Sequence, residues 1–219
     1  MKHRYETISD LPKSLPMFPL SGALLLPRTD LPLSVFEPRY LEMVETAMAG
    51  NRLIGIIQPQ TDQSQTKPKL MHIGCAGRIT SYSESDDGRI HVTLTGICRF
   101  ILGREAKVET SYRQAAIDFR PFAIDLVSGA GAPSVDRAQV LDAFRQYLES
   151  NNLTTNWEDV NAVNTEVLVN TLSLLAPYPP RDKQALLEAP DLKTRAEVLV
   201  ALTELALKKS LHGNSTRMQ

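Results

Sequence analysis

Four side chains in this sequence have the types and spacing to attract chemistry: His72 and Cys75 in His72-Ile73-Gly74-Cys75, then His91 and Cys98 further along. A zinc ion would need four converging ligands, and a Cys-His nucleophile pair would need a third group to orient its base. The paired-cysteine spacing of a zinc knuckle is missing, and no orienting acid stands out. Both cysteines lie among strand-like residues, where cysteine behaves as a small buried hydrophobe, so they are expected to be inert core thiols without metal. Nucleotide chemistry finds no support either, because no G-x-x-x-x-G-K-[ST] loop occurs to cradle a phosphate. Lys208-Lys209-Ser210 reads as a helix terminus rather than as a Ser-Lys catalytic pair. No catalytic residue, metal or cofactor is expected.

The chain as a whole supports a binding role better than a catalytic one. Its 219 residues, 42% hydrophobic, suffice for one large domain or two small ones with a sizeable core. With 24 basic and 25 acidic residues, net charge −1, it carries no overall field for nucleic acid or an anionic membrane. The start, MKHRYETISDLPKS, lacks an apolar stretch, and the apolar runs, such as Ala23 to Leu26, are too short to span a bilayer. These features point to a soluble cytoplasmic protein whose two cysteines stay reduced.

The elements that would position any site fall into two halves. From Leu15 to Phe119 the pattern is mainly that of strands. Leu53-Ile54-Gly55-Ile56-Ile57 suits a buried strand, and Ile90 to Leu94 alternates as a half-buried one does. Asp86-Asp87-Gly88 predicts a hairpin between His72–Ser83 and Arg89–Thr95, with Gly96 separating a further strand, Cys98–Leu102. One helix interrupts the strands from Pro38 to Ala49, with Leu41, Val44 and Met48 on one face and Gly50 as a left-handed cap. Gln58 to Lys69 has no aliphatic or aromatic side chain and reads as an exposed, mobile loop. After Arg120 a Gly- and Ala-rich connector leads into helices. One is capped by Ser134, one runs from Asn156 towards Pro177, a short one opens at Pro180, and a longer one is capped by Asp191. The expected domains are therefore residues 1–120, a linker 121–133, and a helical part 134–219.

Residues 15–40, LPMFPLSGALLLPRTDLPLSVFEPRY, closely resemble the start of the N-terminal domain of the ATP-dependent Lon protease family. Near the other end, Lys183-Gln184, Leu186-Leu187-Glu188, Asp191 and Arg195 match the family's KQ-x-LLE-x-x-D-x-x-x-R pattern. The resemblance implies an α+β fold, a PUA-like β-barrel with one inserted helix followed by an α-helical subdomain. It also implies polypeptide recognition without the family's ATPase and Ser-Lys peptidase parts, which 219 residues do not hold.

The expected function is accordingly that of a non-catalytic recognition or adaptor protein. Its partners would be unfolded or regulated polypeptides and a proteolytic machine, with no nucleic acid or membrane. The candidate surface is Leu24, Leu25 and Leu26, in a loop bounded by Gly22 and Pro27, together with Glu37, Arg39 and Tyr40 at the start of the first helix. Three adjacent leucines in a loop are either a sticky contact for unfolded chains or a plug at the barrel's end. Glu37 and Arg39 either select charged side chains of a bound polypeptide or form an ordinary ion pair. Trp157 and the face Leu192, Ala196, Leu199, Leu202 and Leu205 read as internal packing. Two other classes stay open: an RNA-binding PUA-like module, and a small-molecule hydrolase or ligand binder using the barrel mouth.

Overall fold

The computed structural model describes residues 5–60 and 68–215, the side chains of 209–215 excepted. It has the expected mixed α+β architecture. Six strands, β1 (Ser14–Pro19), β2 (Asp30–Val35), β3 (Leu53–Ile57), β4 (Ile73–Glu84), β5 (Ile90–Glu105) and β6 (Arg113–Asp118), form one sheet. Helix α1 (Pro38–Ala49) interrupts them, and α2 (Arg137–Ser150), α3 (Trp157–Ala162), α4 (Thr165–Leu175), α5 (Pro180–Glu188) and α6 (Leu192–Ser215) follow. Among the described residues no helix is long and apolar enough to cross a membrane.

Strand order is β2-β5-β4-β3-β1-β6, and β5 pairs again with β6. Strands β5, β4, β3, β1 and β6 therefore close a near-complete barrel, and β2 is attached outside it through the first half of β5. Strand β3 is buried along its whole length, parallel to β1 and antiparallel to β4, which is what its uninterrupted apolar run requires. The predicted hairpin forms between β4 and β5, turning at Gly88 with φ +78°. Gly96 does not end a strand. Strand β5 runs through it, and a bulge skips one residue between the pairs Ala76–Cys98 and Gly77–Gly96. Glycine is required there because the carbonyl oxygen of Leu26 lies 2.0 Å from where a Cβ would sit.

Several expected details change. In α1 the buried face is Tyr40, Met43, Val44 and Ala47, while Leu41 and Met48 are half-buried. Gly50 ends α1 at φ −110°, and the left-handed residue that follows is Arg52, at φ 63°, whose amide donates to Ala47 O. Asp136, not Ser134, caps α2 by accepting from Gln139 N. The helix read from Asn156 onwards is broken at Val163, and Asn164 caps a second one, α4. Thr61–Lys67 of the proposed mobile loop lie outside the described residues. Its first residue, Gln58, is buried and bridges Gly22 N and Pro180 O.

The chain divides into two compact units, Met1–Ser128 with Tyr178–Leu187, and Gly129–Pro177 with Glu188–Gln219. The division differs from the expected one at two places. Residues 121–126 of the expected linker lie in a 3-10 segment, Arg120–Leu126, with Phe122 and Asp125 buried, and nearly all of α5 belongs with the barrel. The cause of both is Arg99, 1% exposed, on β5. Its backbone N and Nε donate to Asp125 Oδ2 at 3.0 and 2.9 Å, Nη2 to Asp125 Oδ1 at 2.8 Å, and Nη1 to Leu187 O at 3.0 Å. The guanidinium also lies 4.4 Å from the centre of the Phe122 ring. Gln184 Nε2, donating to Ile73 O, holds α5 at a second point.

In the other unit α2 and α4 pack on α6 around Val140, Leu168, Val169, Leu199 and Val200. Trp157 meets Phe144 edge-on at 5.9 Å, so it is a packing anchor as expected. Asp191 caps α6 through Thr194 N, a bond that holds its carboxyl below the usual carboxylate range, and Arg195 donates to Asn170 Oδ1.

Asp125→Ala would leave the Arg99 charge buried without its counter-ion, and such losses cost about 3–5 kcal/mol. Urea unfolding followed by circular dichroism should show a loss of that size. Arg120→Ala, which removes an exposed ion pair with Asp118, should leave the midpoint near wild type.

Candidate functional site

The three leucines are not on the surface. Leu24, Leu25 and Leu26 are 1%, 1% and 0% exposed, so they cannot serve as an apolar contact for unfolded chains. Leu25 packs on the sheet where Gly77 and Gly96 leave space. Thr29 Oγ1 accepts from Leu26 N and donates to Leu26 O, while Arg28 N and Thr29 O exchange hydrogen bonds with Gly96 across to β5. The loop satisfies its own backbone and then buries its side chains, which is how a polar-poor loop stays folded.

The other three candidate residues stay together at the start of α1. Glu37 and Arg39 form an exposed ion pair at 2.6 Å, the second of the two expected arrangements. The Arg39 guanidinium lies over the Tyr40 ring at 4.6 Å, and that ring packs on Phe18 at 4.2 Å between centroids. Burial raises the Tyr40 phenol above its usual range. Tyr40 is thus mostly core, with one edge reaching the surface.

That edge opens into a groove of about 780 Å³ within the barrel unit. Its floor is Met17, Pro19 and Tyr40, and its outer wall is the segment 106–112 between β5 and β6. Both ends of this wall are pinned. Ala106 N donates to Gln114 O, and Ser111 Oγ reaches Glu42 of α1 at 2.5 Å. Arg113 pairs with Glu105 across the strands and donates through Nη1 to Pro68 O at 2.8 Å. Between the pins Lys107, Val108 and Glu109 face solvent, Val108 at 40% exposure. The groove's charges are balanced: Arg113 by Glu105, Arg39 by Glu37, and Lys107 with Glu109 on the same wall. Among the described residues the groove thus combines apolar lining with walls whose charges are neutralised.

Of the six candidate residues, Arg39 and Tyr40 line this groove, and its wall was not among them. Segment 106–112 has no motif, and the one available signal was a lone valine in a polar stretch between two strands.

The reactive residues do not converge. His91 and Cys98 lie seven residues apart on one strand, roughly 23 Å at strand spacing. His91 is exposed and faces Ser34 and Ser83 in register. Cys75 pairs with Arg99 and Cys98 with Ala76, and both thiols are buried. Burial, with the Asp125 carboxylate as second cause, pushes the Cys98 thiol far up, and its Sγ donates to Phe122 O. Among the described residues no group of three or more His, Cys, Asp or Glu could hold a metal.

Residues 14–204 match the family described as the substrate-binding domain of ATP-dependent protease La (LON). The chain belongs to this family. It is 29% identical to the Lon protease of Flavobacterium johnsoniae over 217 residues, 93% of this chain and 26% of that protease. A shorter match, 31% over 96 residues, covers 42% of this chain and 12% of the Lon protease of Desulfosudis oleivorans. The chain thus spans about a quarter or less of these relatives' length. Two solved structures share the fold. The Lon N-terminal domain protein from Xanthomonas campestris has a TM-score of 0.62 at 21% identity, covering 86% of this chain and 97% of that one. The N-terminal domain of Mycobacterium avium complex Lon protease has a TM-score of 0.64 at 19%, covering 88% and 98%. The residues that carried the Lon resemblance in the sequence are mainly scaffold here: Gln184 and Leu187 dock α5, Asp191 caps α6, and Arg195 is buried.

Leu25→Ala should cost about 2–5 kcal/mol in urea unfolding, the range for deleting a buried leucine; an unchanged midpoint would place the loop on the surface after all. Native protein should leave both thiols unreacted with a disulfide reagent at mildly alkaline pH and release two equivalents only in denaturant.

Proposed function

We propose that this chain recognises exposed segments of unfolded or regulated polypeptides, acting by itself or as an adaptor that presents them to a proteolytic machine. Membership of the Lon substrate-binding family carries this reading, because the substrates of a protease are polypeptides. The groove between α1 and segment 106–112 supplies the surface, with Arg39 and Tyr40 on one side and Val108 and Tyr112 on the other. Glu37 contributes by neutralising Arg39 rather than by touching the ligand. Binding is weak and broad, since a flexible segment loses chain entropy when held and the groove offers no charge to define a sequence.

The test is titration of the full chain into a reduced, carboxymethylated model protein followed by anisotropy. Binding should survive high salt, because burial of apolar groups is not screened as ion pairing is. Val108→Asp, at an exposed position, should weaken it about tenfold, equivalent to ~1.4 kcal/mol, with the circular dichroism spectrum unchanged. Leu175→Asp, on α4 and 71% exposed, should bind as wild type. No binding at high micromolar concentration, or equal loss in both variants, would remove the groove from consideration.

A further inference from the structure

Among the described residues strand β2 is bonded to β5 alone, outside the ring that the other strands close. Its outer edge pairs with no other described strand, which leaves six residues of backbone that another strand could join. The local sequence, Leu31-Pro32-Leu33-Ser34-Val35-Phe36, has no charged residue and alternates apolar groups. Leu31 and Leu33 are half-buried at the edge, and Phe36 is 63% exposed just beyond it. Uncharged, β-prone windows of this length on an open edge are where chains pair with copies of themselves.

The register shows which residues point outward. Gly96 N donates to Thr29 O, so Thr29 faces β5, and with Leu31–Leu94, Leu33–Val92 and Val35–Ile90 in register the same holds for these. Asp30, Pro32 and Ser34 then turn their backbone away from the sheet. Pro32 occupies the middle of those three positions, where its missing N–H costs β5 nothing and deprives an incoming strand of its central donor. A carboxylate at Asp30 stands at one end of the edge. At the other, the Arg89 guanidinium lies 5.6 Å over the exposed Phe36 ring.

We propose that Pro32 is an edge guard, closing β2 to antiparallel strand addition by a second copy of this chain. Thr80–Glu84 on the far half of β4, beyond its described pairing with β3, is polar and ends on a glutamate, so it needs no such device.

The experiment is sedimentation velocity of wild type, Pro32→Val, Pro32→Ala and the double variant Pro32→Val/Ser34→Lys over a wide concentration range. Amide hydrogen exchange is read in parallel. Pro32→Val should roughly double the sedimenting mass as concentration rises, and the Asp30 and Ser34 amides should become protected in the same range. Adding Ser34→Lys should return it to wild-type mass, because a charge on the edge repels a second copy. Pro32→Ala restores the same donor without a branched side chain and decides the matter if the valine variant fails to fold. The proposal is overturned by wild-type mass at every concentration in a folded Pro32→Val or Pro32→Ala. It is equally overturned if both misfold, if Ser34→Lys has no effect, or if wild type itself associates with its Asp30 and Ser34 amides protected.

Discussion

The Arg99–Asp125 pair is the constraint that the barrel unit is built around. A guanidinium taken out of water costs several kcal/mol unless its donors are matched, and a single carboxylate cannot match all five. Asp125 takes the backbone N, Nε and Nη2, which forces residues 120–126 back against β5 as a 3-10 segment instead of leaving them as a connector. Nη1 still needs an acceptor, and Leu187 O supplies it from the last turn of α5, where a carbonyl lacks an intrahelical partner. One residue in mid-strand thereby fixes two segments distant in sequence. Arg28 Nη1, donating to Asp125 O at 2.6 Å, ties the buried leucine loop to the same centre.

This explains the path of the chain. It leaves the barrel unit after Ser128, builds α2 to α4 in the other unit, returns at Tyr178 to lay down α5, and leaves again after Leu187. Composition cannot predict such a return, because α5 by itself looks like any short amphipathic helix. What distinguishes it is polar complementarity: Gln184 meets Ile73 O, Pro180 O meets Gln58, and Leu187 O meets Arg99. A buried cation imposes specificity of this kind because only one arrangement satisfies it, whereas an apolar contact would tolerate several.

What was legible in the sequence follows the same division between local and non-local causes. The hairpin turn at Gly88, the fully apolar β3, the proline start of α1 and the Asp191 cap are set by residues within a few positions of one another, and each was readable. The burial of Leu24 to Leu26 was not, since it depends on Gly77 and Gly96 leaving room on strands far along the chain. The break at Val163 was hidden because Asn164 resembles an ordinary polar helix residue until its side chain is seen accepting from Val167 N. At the candidate groove, Arg39 and Tyr40 stood out because they accompany a strong helix start. The wall at 106–112 was not, because its position is set by pairing of β5 with β6 and by the Glu105–Arg113 pair across them.

The positions that make the family recognisable and those that would make it bind are therefore different sets. Gly96 is demanded by a carbonyl at contact distance and Gln184 by a strand carbonyl, so substitution at either is felt as lost stability. Lys107, Val108 and Glu109 touch little of the scaffold and stand on a wall pinned at both ends, so they are free to change without unfolding the barrel. A rigid frame carrying a substitutable wall lets surface side chains change while the fold stays the same. The groove's wall therefore rests on the pairing of β5 with β6 and on the Glu105–Arg113 pair, while the buried Arg99 holds a different part of the same unit, residues 120–126 and α5.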